Sequence, residues 1–453
     1  MAVSCFFSYF AAGKEKRETM MTRNNKCGLF VSTLLLCVAA ATGVLTSCHK
    51  ELFEPQQYHE AVEIAYPVDT VDAAHDWNLL RTTIVPVRAN VNDDQIERLA
   101  ILTADPASGE AEVVGSCPAT RFSTSHASIT IGMGTSRYYA ALLTKTGLCY
   151  ATPFTLGKQD VVTFPADVQP VKVGEIPVQA YTYLFEASYP RPSDFDYNDV
   201  VLRIAAWMPE SDVVKLRVTL SAVGETKQIA AAVHLPGVPY NKVEEVTIDE
   251  GTPFDDGYPY QYNFIDSKSV GVEGRNRELV VNLFEDAHWS LNPELLPSGS
   301  VARLYYNTKQ GEKDQESAHV PEKTRTYTIR LKEGFRLGSY TTQRLDPFII
   351  SYYNNLKFEV HTYDYKYQEL LWDYYDNPDL YRDHYAWALL IPQSTFLYPF
   401  EDTPLCTYKK KYGLPLGAYN QYGHSFGEWV ENHKRATDWW LYPTSSLVYG
   451  WKY

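Results

Sequence analysis

Short runs in which apolar and polar side chains alternate follow one another along the chain from about residue 76 onward. A two-residue period is typical of half-buried strands, and Gly, Pro, Asn and Asp clusters between the runs predict turns. Lys145-Thr146-Gly147, between two such runs, predicts a hairpin turn. Residues 76–168 are therefore expected to form an immunoglobulin-like β-sandwich, with strands over 82–88, 98–102, 128–131, 138–143 and 161–164.

The pattern continues after a connection over residues 169–176. Residues 200–207 are mostly apolar, which predicts a strand buried on both faces, whereas 215–222 alternate cleanly, with Leu216, Val218, Leu220 and Ala222 inward. We predict an all-β chain in which residues 178–453 form a second, larger β-sandwich. Its further strands are expected at 181–185, 229–235, 278–284, 325–331, 348–353 and 356–361.

An acidic loop precedes the apolar run at residue 200. Asp194, Asp196 and Asn198 occupy positions one, three and five of this loop, a spacing that lets oxygen ligands converge on a hard cation such as Ca²⁺. The loop is not an EF-hand, because Asp199 stands where that motif requires Gly and no Glu follows at position twelve. The alternative is that these side chains only cap one another and the turn backbone.

Several motifs follow one another in order around and after this loop: Tyr183-Leu184-Phe185-Glu186, Asp194 to Val201, His234-Leu235-Pro236, Asp346-Pro347-Phe348, Phe358-Glu359-Val360-His361, Trp387 to Pro392, Tyr398 to Glu401 and Phe426-Gly427-Glu428-Trp429. Together they resemble the LruC-domain family of outer-membrane lipoproteins. The resemblance covers about residues 180–445, and the chain departs from the family pattern at Ala187-Ser188 and at Ser193. It implies an outer-membrane location and no particular reaction. With it, a structural calcium site is expected to use Asp194, Asp196, Asn198, Asp199 and Glu186.

The start of the chain predicts a signal for export and membrane anchoring. Residues 1–47 have the charge and apolar run of a signal peptide, with the true start expected at Met20 or Met21. Leu45-Thr46-Ser47-Cys48 resembles a bacterial lipobox, which implies that Cys48 carries lipid and anchors the protein in the membrane, with 48–75 as a tether. The charged residues 49–54 resemble the surface-export signal of Bacteroidetes lipoproteins. A plain transmembrane anchor is the alternative.

The net charge bears on which partners the protein can bind, and the cysteines bear on possible disulfides. The net charge is -14, and it becomes -17 when residues 1–47, with five basic and two acidic residues, are removed. Such an acidic chain is not expected to bind nucleic acid. Cys117 and Cys149 fall in one predicted domain and could pair outside the cytoplasm, whereas Cys406 is expected to be a buried thiol.

The sequence predicts a surface-exposed outer-membrane binding or adhesion protein for a glycan or protein, without catalytic residues. Glu359 and His361 share one face of a predicted strand. Combined with Glu401 or Asp438 they would form an acid/base site, so a surface glycan-processing hydrolase is one alternative. A fimbrial or adhesin assembly component is another. The aromatic residues near the end are expected to contact sugar rings or to fill a core: Trp372, Tyr374, Tyr375, Tyr381, Tyr385, Trp429, Trp439, Trp440 and Tyr442.

Overall fold

The computed structural model describes residues 55–189, 191–260, 272–275, 277–310, 316–353, 356–362, 385–407 and 417–450. The predicted signal peptide and Cys48 lie outside these ranges. Among the described residues, no helix has both the length and the apolar character needed to cross a membrane.

The N-terminal part folds as the predicted β-sandwich. One sheet has the strand order β4-β1-β7 and the other β3-β2-β5-β6-β8. Their inner faces bury a shared core that includes Val85, Ile129 and Leu142. Gly147 has φ 78° in the predicted hairpin turn between β5 and β6. The strands are β1 (Leu80–Arg88), β2 (Ile96–Leu102), β3 (Val113–Pro118), β4 (Thr124–Gly132), β5 (Arg137–Thr144), β6 (Leu148–Thr155), β7 (Val162–Thr163) and β8 (Val171–Lys172).

Strand order keeps the two cysteines of this sandwich apart. Cys117 lies on β3 and Cys149 on β6, and β2 and β5 run between them. Neighbouring strands are about 4.8 Å apart, so three such steps exceed the roughly 7 Å that a disulfide can bridge between Cα atoms. Both thiols are free, as is that of the buried Cys406.

The second part is the larger sandwich. A six-stranded sheet, β13-β18-β11-β10-β9-β21, faces a five-stranded sheet, β14-β15-β12-β19-β20. The strands of these two sheets are β9 (Tyr181–Phe185), β10 (Val200–Glu210), β11 (Val213–Ala222), β12 (Ile229–Pro239), β13 (Val243–Ile248), β14 (Val272–Arg275), β15 (Glu278–Phe284), β18 (Lys323–Leu331), β19 (Asp346–Tyr353), β20 (Leu356–His361) and β21 (Ala388–Ile391). Two short pairs form separate two-stranded sheets: β16 (Tyr305–Tyr306) with β17 (Ser317–Ala318), and β22 (Asn420–Gln421) with β23 (His424–Ser425).

The core of this sandwich follows the predicted faces. Leu216, Val218 and Leu220 of β11 point into it, opposite alternate residues of β12 such as Ala231 and Val233. The apolar strand β10 is buried on both faces over most of its length. The all-β architecture with two sandwiches is therefore confirmed, and both sandwiches belong to one compact unit, Gln56–Tyr453.

In the described residues, three α-helices accompany the sheets: α1 (Pro55–Ala65), α2 (Ala287–Leu291) and α3 (Phe426–Glu431). Helix α1 corrects the tether predicted over 48–75. Val62 and the following Tyr66 are buried in the core of the larger sandwich, and Tyr66 packs edge-on to Phe195 at 4.8 Å. Part of the expected tether is thus folded, because its apolar side chains cover that core.

Candidate metal centre

The acidic loop lies between the fully buried strand β9 and the mostly buried strand β10. β9 and β10 are antiparallel neighbours in which Phe185 pairs with Val200, and residues 186–199 connect them. On the other side of β9, the N–H of Glu186 donates to the carbonyl of Trp387 at 2.9 Å. The sheet therefore fixes both ends of the loop.

Two aromatic residues shape the loop backbone. Phe195 and Tyr197 have φ values of 55° and 58°, in the left-handed region. That conformation costs roughly 1–2 kcal/mol for each residue with a side chain. Their buried rings offset this cost: Phe195 lies 5.4 Å from Trp387, and the Tyr197 hydroxyl donates to the carbonyl of Ala386 at 2.8 Å. The aromatic anchors thereby hold the intervening acids in place.

The structure brings three of the five predicted ligands together. Carboxylate oxygens of Glu186, Asp194 and Asp196 lie within 4.8 Å of one another. Glu186 and Asp196 are fully buried, whereas Asp194 is exposed. This arrangement places one solvent-accessible carboxylate over two buried ones, which suits the entry of an ion.

The other two predicted ligands are buried beside this group. Asp199 accepts a hydrogen bond from the N–H of Ala187 at 2.5 Å. The Asn198 amide donates from Nδ2 to the carbonyl of Pro399 at 3.2 Å. Its Oδ1 is buried and has no hydrogen-bond partner in the described parts of the chain. An amide oxygen in this state is an acceptor that a cation or a water molecule could use.

A second acidic segment, not predicted as part of the site, completes the cluster. Asp194, Glu401 and Asp402 also place carboxylate oxygens within 4.8 Å of one another. The sequence singles out Glu401 only as a possible partner of Glu359. The two adjacent acidic residues at 401 and 402 could have suggested further metal ligands. However, no rule of sequence spacing relates them to a loop about two hundred residues earlier.

Burial and like charge act together on these carboxyl groups. Burial raises the pKa of Glu186 well above its ordinary value, and the charges of Asp199 and Asp194 raise it further. For Asp196, whose pKa is also raised, the causes are burial and then the charges of Asp194 and Glu186. Burial and mutual repulsion therefore both oppose ionisation of these carboxyl groups, and added positive charge would favour it.

Burial and like charge also raise the pKa values of Glu401 and Asp199, at the edge of the cluster. Burial, then the charges of Asp199 and Asp194, raise the pKa of Glu401 to about 9. Burial and Glu225 raise the pKa of Asp199 well above its ordinary range, and Lys227 only partly opposes this. A divalent cation would supply the missing charge.

Hydrogen bonds within the loop also fit the capping alternative. The N–H of Tyr197 donates to Glu186 Oε1 at 2.6 Å, and the N–H of Asn198 donates to Asp196 Oδ1 at 3.1 Å. The Ser193 hydroxyl donates to Glu186 Oε2. A carboxylate oxygen has two lone pairs, so these bonds leave acceptor capacity for an ion. Capping and cation binding are thus compatible.

Gly224 is a further requirement that the sequence did not reveal. A Cβ atom at this position would lie 1.8 Å from Asn198 Oδ1 and 2.7 Å from the Asn198 carbonyl oxygen. The N–H of Gly224 donates to the carbonyl of Asp199 at 3.1 Å. The segment that follows β11 can approach the loop this closely only because residue 224 has no side chain.

The residues considered for catalysis are distributed over separate places. Glu359 and His361 do share a face of β20, with 3.3 Å between Glu359 Oε2 and His361 Nε2, and His361 Nδ1 lies 3.0 Å from Asp346. Glu401 belongs to the acidic cluster, and Asp438 contacts His424 at 2.9 Å. Glu359 and His361 thus form a buried ionic group with Asp346 instead of the assembled acid/base site.

The tryptophans near the end of the chain fill the core. Trp429 and Trp439 are buried and lie 5.8 Å apart, and Trp440 is buried as well. These three rings are therefore not a sugar-stacking surface. Tyr385 and Tyr442 are partly buried, whereas Trp372, Tyr374, Tyr375 and Tyr381 lie outside the described residues.

A family model matches residues 212–440, just over half of the chain, and describes a domain of unknown function, DUF4842. The chain belongs to this family. The match includes Glu401 and Asp402 of the acidic cluster, whereas the loop over 186–199 precedes it. A search of curated proteins found no match.

Among solved structures, the chain is similar to a suspected lipoprotein from Bacteroides ovatus, at 15% sequence identity and a TM-score of 0.46. The alignment covers 79% of this chain and all of the other one. A similarity at this level carries no argument about the site.

Proposed function

We propose that this protein is a lipid-anchored, surface-exposed outer-membrane protein that binds a glycan or protein partner, and that its acidic loop holds a structural Ca²⁺. The observation that carries the calcium part is the crowding of the buried carboxylates of Glu186 and Asp196 and the half-buried carboxylate of Glu401 around the exposed Asp194. Ca²⁺ takes six to eight oxygen ligands, and carboxylate, amide and carbonyl oxygens are the ones it prefers.

The ion's role would be to join two distant segments. Residues 186–199 and 400–403 each contribute acids, and a hydrogen bond from the Asp402 N–H to the Asp196 carboxylate links them. A cation between the segments would remove their mutual repulsion and stabilise the folded state by mass action. We propose no catalytic role, since Glu359, His361 and Asp346 pair with one another in the interior.

Calorimetric titration with CaCl₂ and thermal unfolding test the calcium site. At free calcium one hundred times Kd, the stabilisation should be about 2.7 kcal/mol, or roughly 3 °C in melting temperature for a unit of this size. Asp194→Asn should abolish most of this shift, because Asp194 belongs to both acidic groups. Asp167→Asn, at an exposed site elsewhere, is the matched control. An equal melt in EDTA and in calcium would remove the ion from the proposal.

The anchor and the LruC assignment are proposed on the sequence. Leu45-Thr46-Ser47-Cys48 supports lipidation, and the motif from Tyr183 to Val201 supports membership of the LruC-domain family. Metabolic labelling with a radioactive fatty acid should label the wild type and not Cys48→Ser. Protease treatment of intact cells should degrade the protein if it faces outward, and protection would place it on the periplasmic side.

A further inference from the structure

The N-terminal sandwich is open along one side. β1 pairs with β4 over all nine of its residues but with β7 only at Val87 and Arg88. On the facing sheet, β6 is paired on its outer side only at Leu148 and Cys149, by β8. Two strand edges are therefore left without a neighbouring strand among the described residues.

The direction of the backbone groups shows which donors face the opening. On the β4 side, the N–H of Ala89 donates to Ser123 and the carbonyl of Leu79 accepts from Met133. On the β7 side, the carbonyl of Arg88 accepts from Phe164. Because successive residues of a strand point to opposite sides, the even-numbered residues of β1 present their N–H and C=O groups to the opening.

In the described part of the chain, two of these even-numbered residues have an N–H group that faces no paired strand. The N–H of Leu80 is already bonded to Asn78 Oδ1 at 2.8 Å, and Pro86 has no N–H. Thr82 and Ile84 remain, and no strand of the described chain pairs with them on this side. An unpaired edge of this kind is a template for another strand.

A groove with a volume of about 430 Å³ runs beside this edge. Val85 lines it from β1, Phe154 lines it from β6 of the other sheet, and Leu156 lines it from the residue that follows β6. Ile84, which also lines the groove, is 62% exposed, and Val161, between the lining residues Asp160 and Val162, is 41% exposed. The opening therefore combines unpaired backbone groups with an apolar floor and apolar rims.

We infer that this edge binds an extended peptide segment of a partner protein, which adds to β1 as an extra strand beside Thr82 and Ile84. β7 occupies the edge from Val87 onward, so the added strand is limited to the part of β1 before that residue. Its inward side chains would be apolar and would fill the groove, whereas its main chain would bond to β1.

Charged residues near the groove indicate which charges the bound segment should carry. Exposed Arg81 lies at one end of the groove and exposed Asp160 lies on its lining near β7. A complementary segment carries an acidic residue at the Arg81 end and a basic residue at the Asp160 end. A second copy of the chain is less suited, because each copy has a net charge of -14 and two copies repel.

The test uses the full chain in detergent and short synthetic peptides with alternating valine and threonine, an aspartate at one end and a lysine at the other. Both sequence directions are included. Reversing such a peptide exchanges its end charges, so fluorescence anisotropy should show that one sequence direction binds severalfold more tightly than the other. Residue-resolved hydrogen exchange should show fast exchange at Thr82 and Ile84 that slows about tenfold with peptide, while Thr83 and Val85 are protected throughout.

Variants separate backbone pairing from simple apolar contact. Ile84→Pro removes a donor and should weaken binding by about threefold to tenfold, whereas Ile84→Ala keeps the N–H and should weaken it less. Combined Arg81→Glu and Asp160→Lys should reverse the preference for the end charges, and both positions are exposed, so this variant tests the inference even if Ile84→Pro does not fold.

Three results would overturn the inference. The first is no binding by any peptide. The second is equal binding by wild type, Ile84→Pro and the charge-reversed variant. The third is protection of Thr82 and Ile84 in a concentration-dependent dimer without peptide. The inference rests on the proposed binding role but not on calcium. Peptide binding should therefore persist in EDTA, and a failed calcium titration would leave it intact.

Discussion

The backbone N–H of Asp402 donates a hydrogen bond to Oδ2 of Asp196 at 2.9 Å, although 206 positions separate the two residues. Asp402 has φ 63° and so adopts the left-handed region, as Phe195 and Tyr197 do in the partner loop. The contact joins the two acidic segments, and it places Glu401 where its carboxylate adds to the negative charge of the loop.

Removing the charge of Glu401 should have opposite effects with and without calcium. The pKa of Glu401 is raised to about 9, so at pH 7 the unfolded state is ionised while the folded state without calcium holds a proton. Folding without calcium therefore has to protonate Glu401, which costs free energy. Glu401→Gln removes this cost and should raise the unfolding free energy in EDTA by about 1–3 kcal/mol. In calcium it should reduce the ion-induced stabilisation. Glu110→Gln, at an exposed site, serves as the control in chemical denaturation.

A methyl group at position 224 should disturb the loop. Gly224→Ala places a Cβ where Asn198 Oδ1 now lies, so the variant should lose about 1–3 kcal/mol of stability and bind calcium more weakly. Gly174→Ala is the matched control because a Cβ there meets nothing within 4 Å. Urea denaturation and calcium titration measure the two effects. Equal behaviour of the two variants would contradict the close approach of β11 to the loop.

Stability should fall in alkali through His361. Burial alone lowers its pKa, but the charge and hydrogen bonds of Asp346 and Glu359 outweigh burial and raise the pKa to about 9. This contribution is complete below the unfolded pKa of about 6.5 and is lost as pH rises through about 9; it amounts to at most about 3 kcal/mol. His361→Gln should flatten the difference in unfolding free energy between pH 7 and pH 9.5. A variant with the same pH slope as wild type would exclude this residue as the cause.

The buried tryptophans should matter for stability and not for sugar contact. Trp429→Ala removes a ring that packs on Trp439 and Trp77, and should cost about 3–5 kcal/mol. Tyr422→Ala, at a side chain that is 92% exposed, should stay within about 0.5 kcal/mol of wild type. Thermal unfolding distinguishes the two. A neutral Trp429→Ala would show that this region is not a packed core.

Much of the fold was predictable because its signal is local. A strand's alternation appears in consecutive residues, and the limits predicted for 181–185, 278–284 and 356–361 agree with β9, β15 and β20. Helix α1 was missed because its apolar positions, such as Val62, follow no strand-like alternation and lie next to the predicted leader. The role of Trp429 stayed open for a related reason. The sequence pattern around an aromatic residue does not distinguish a side chain in the core from one that contacts a ligand.

By itself the sequence determined the all-β class, the two sandwiches and the acidic loop with Glu186, Asp194 and Asp196, since each depends on spacing within a few residues. Only the tertiary structure decided that Glu401 and Asp402 join that loop, that Gly224 must lack a side chain, that Cys117 and Cys149 stay apart and that β1 has an unpaired edge. These features depend on which strands become neighbours. Strand order is set by the packing of the whole chain and leaves no trace in the spacing of any one segment.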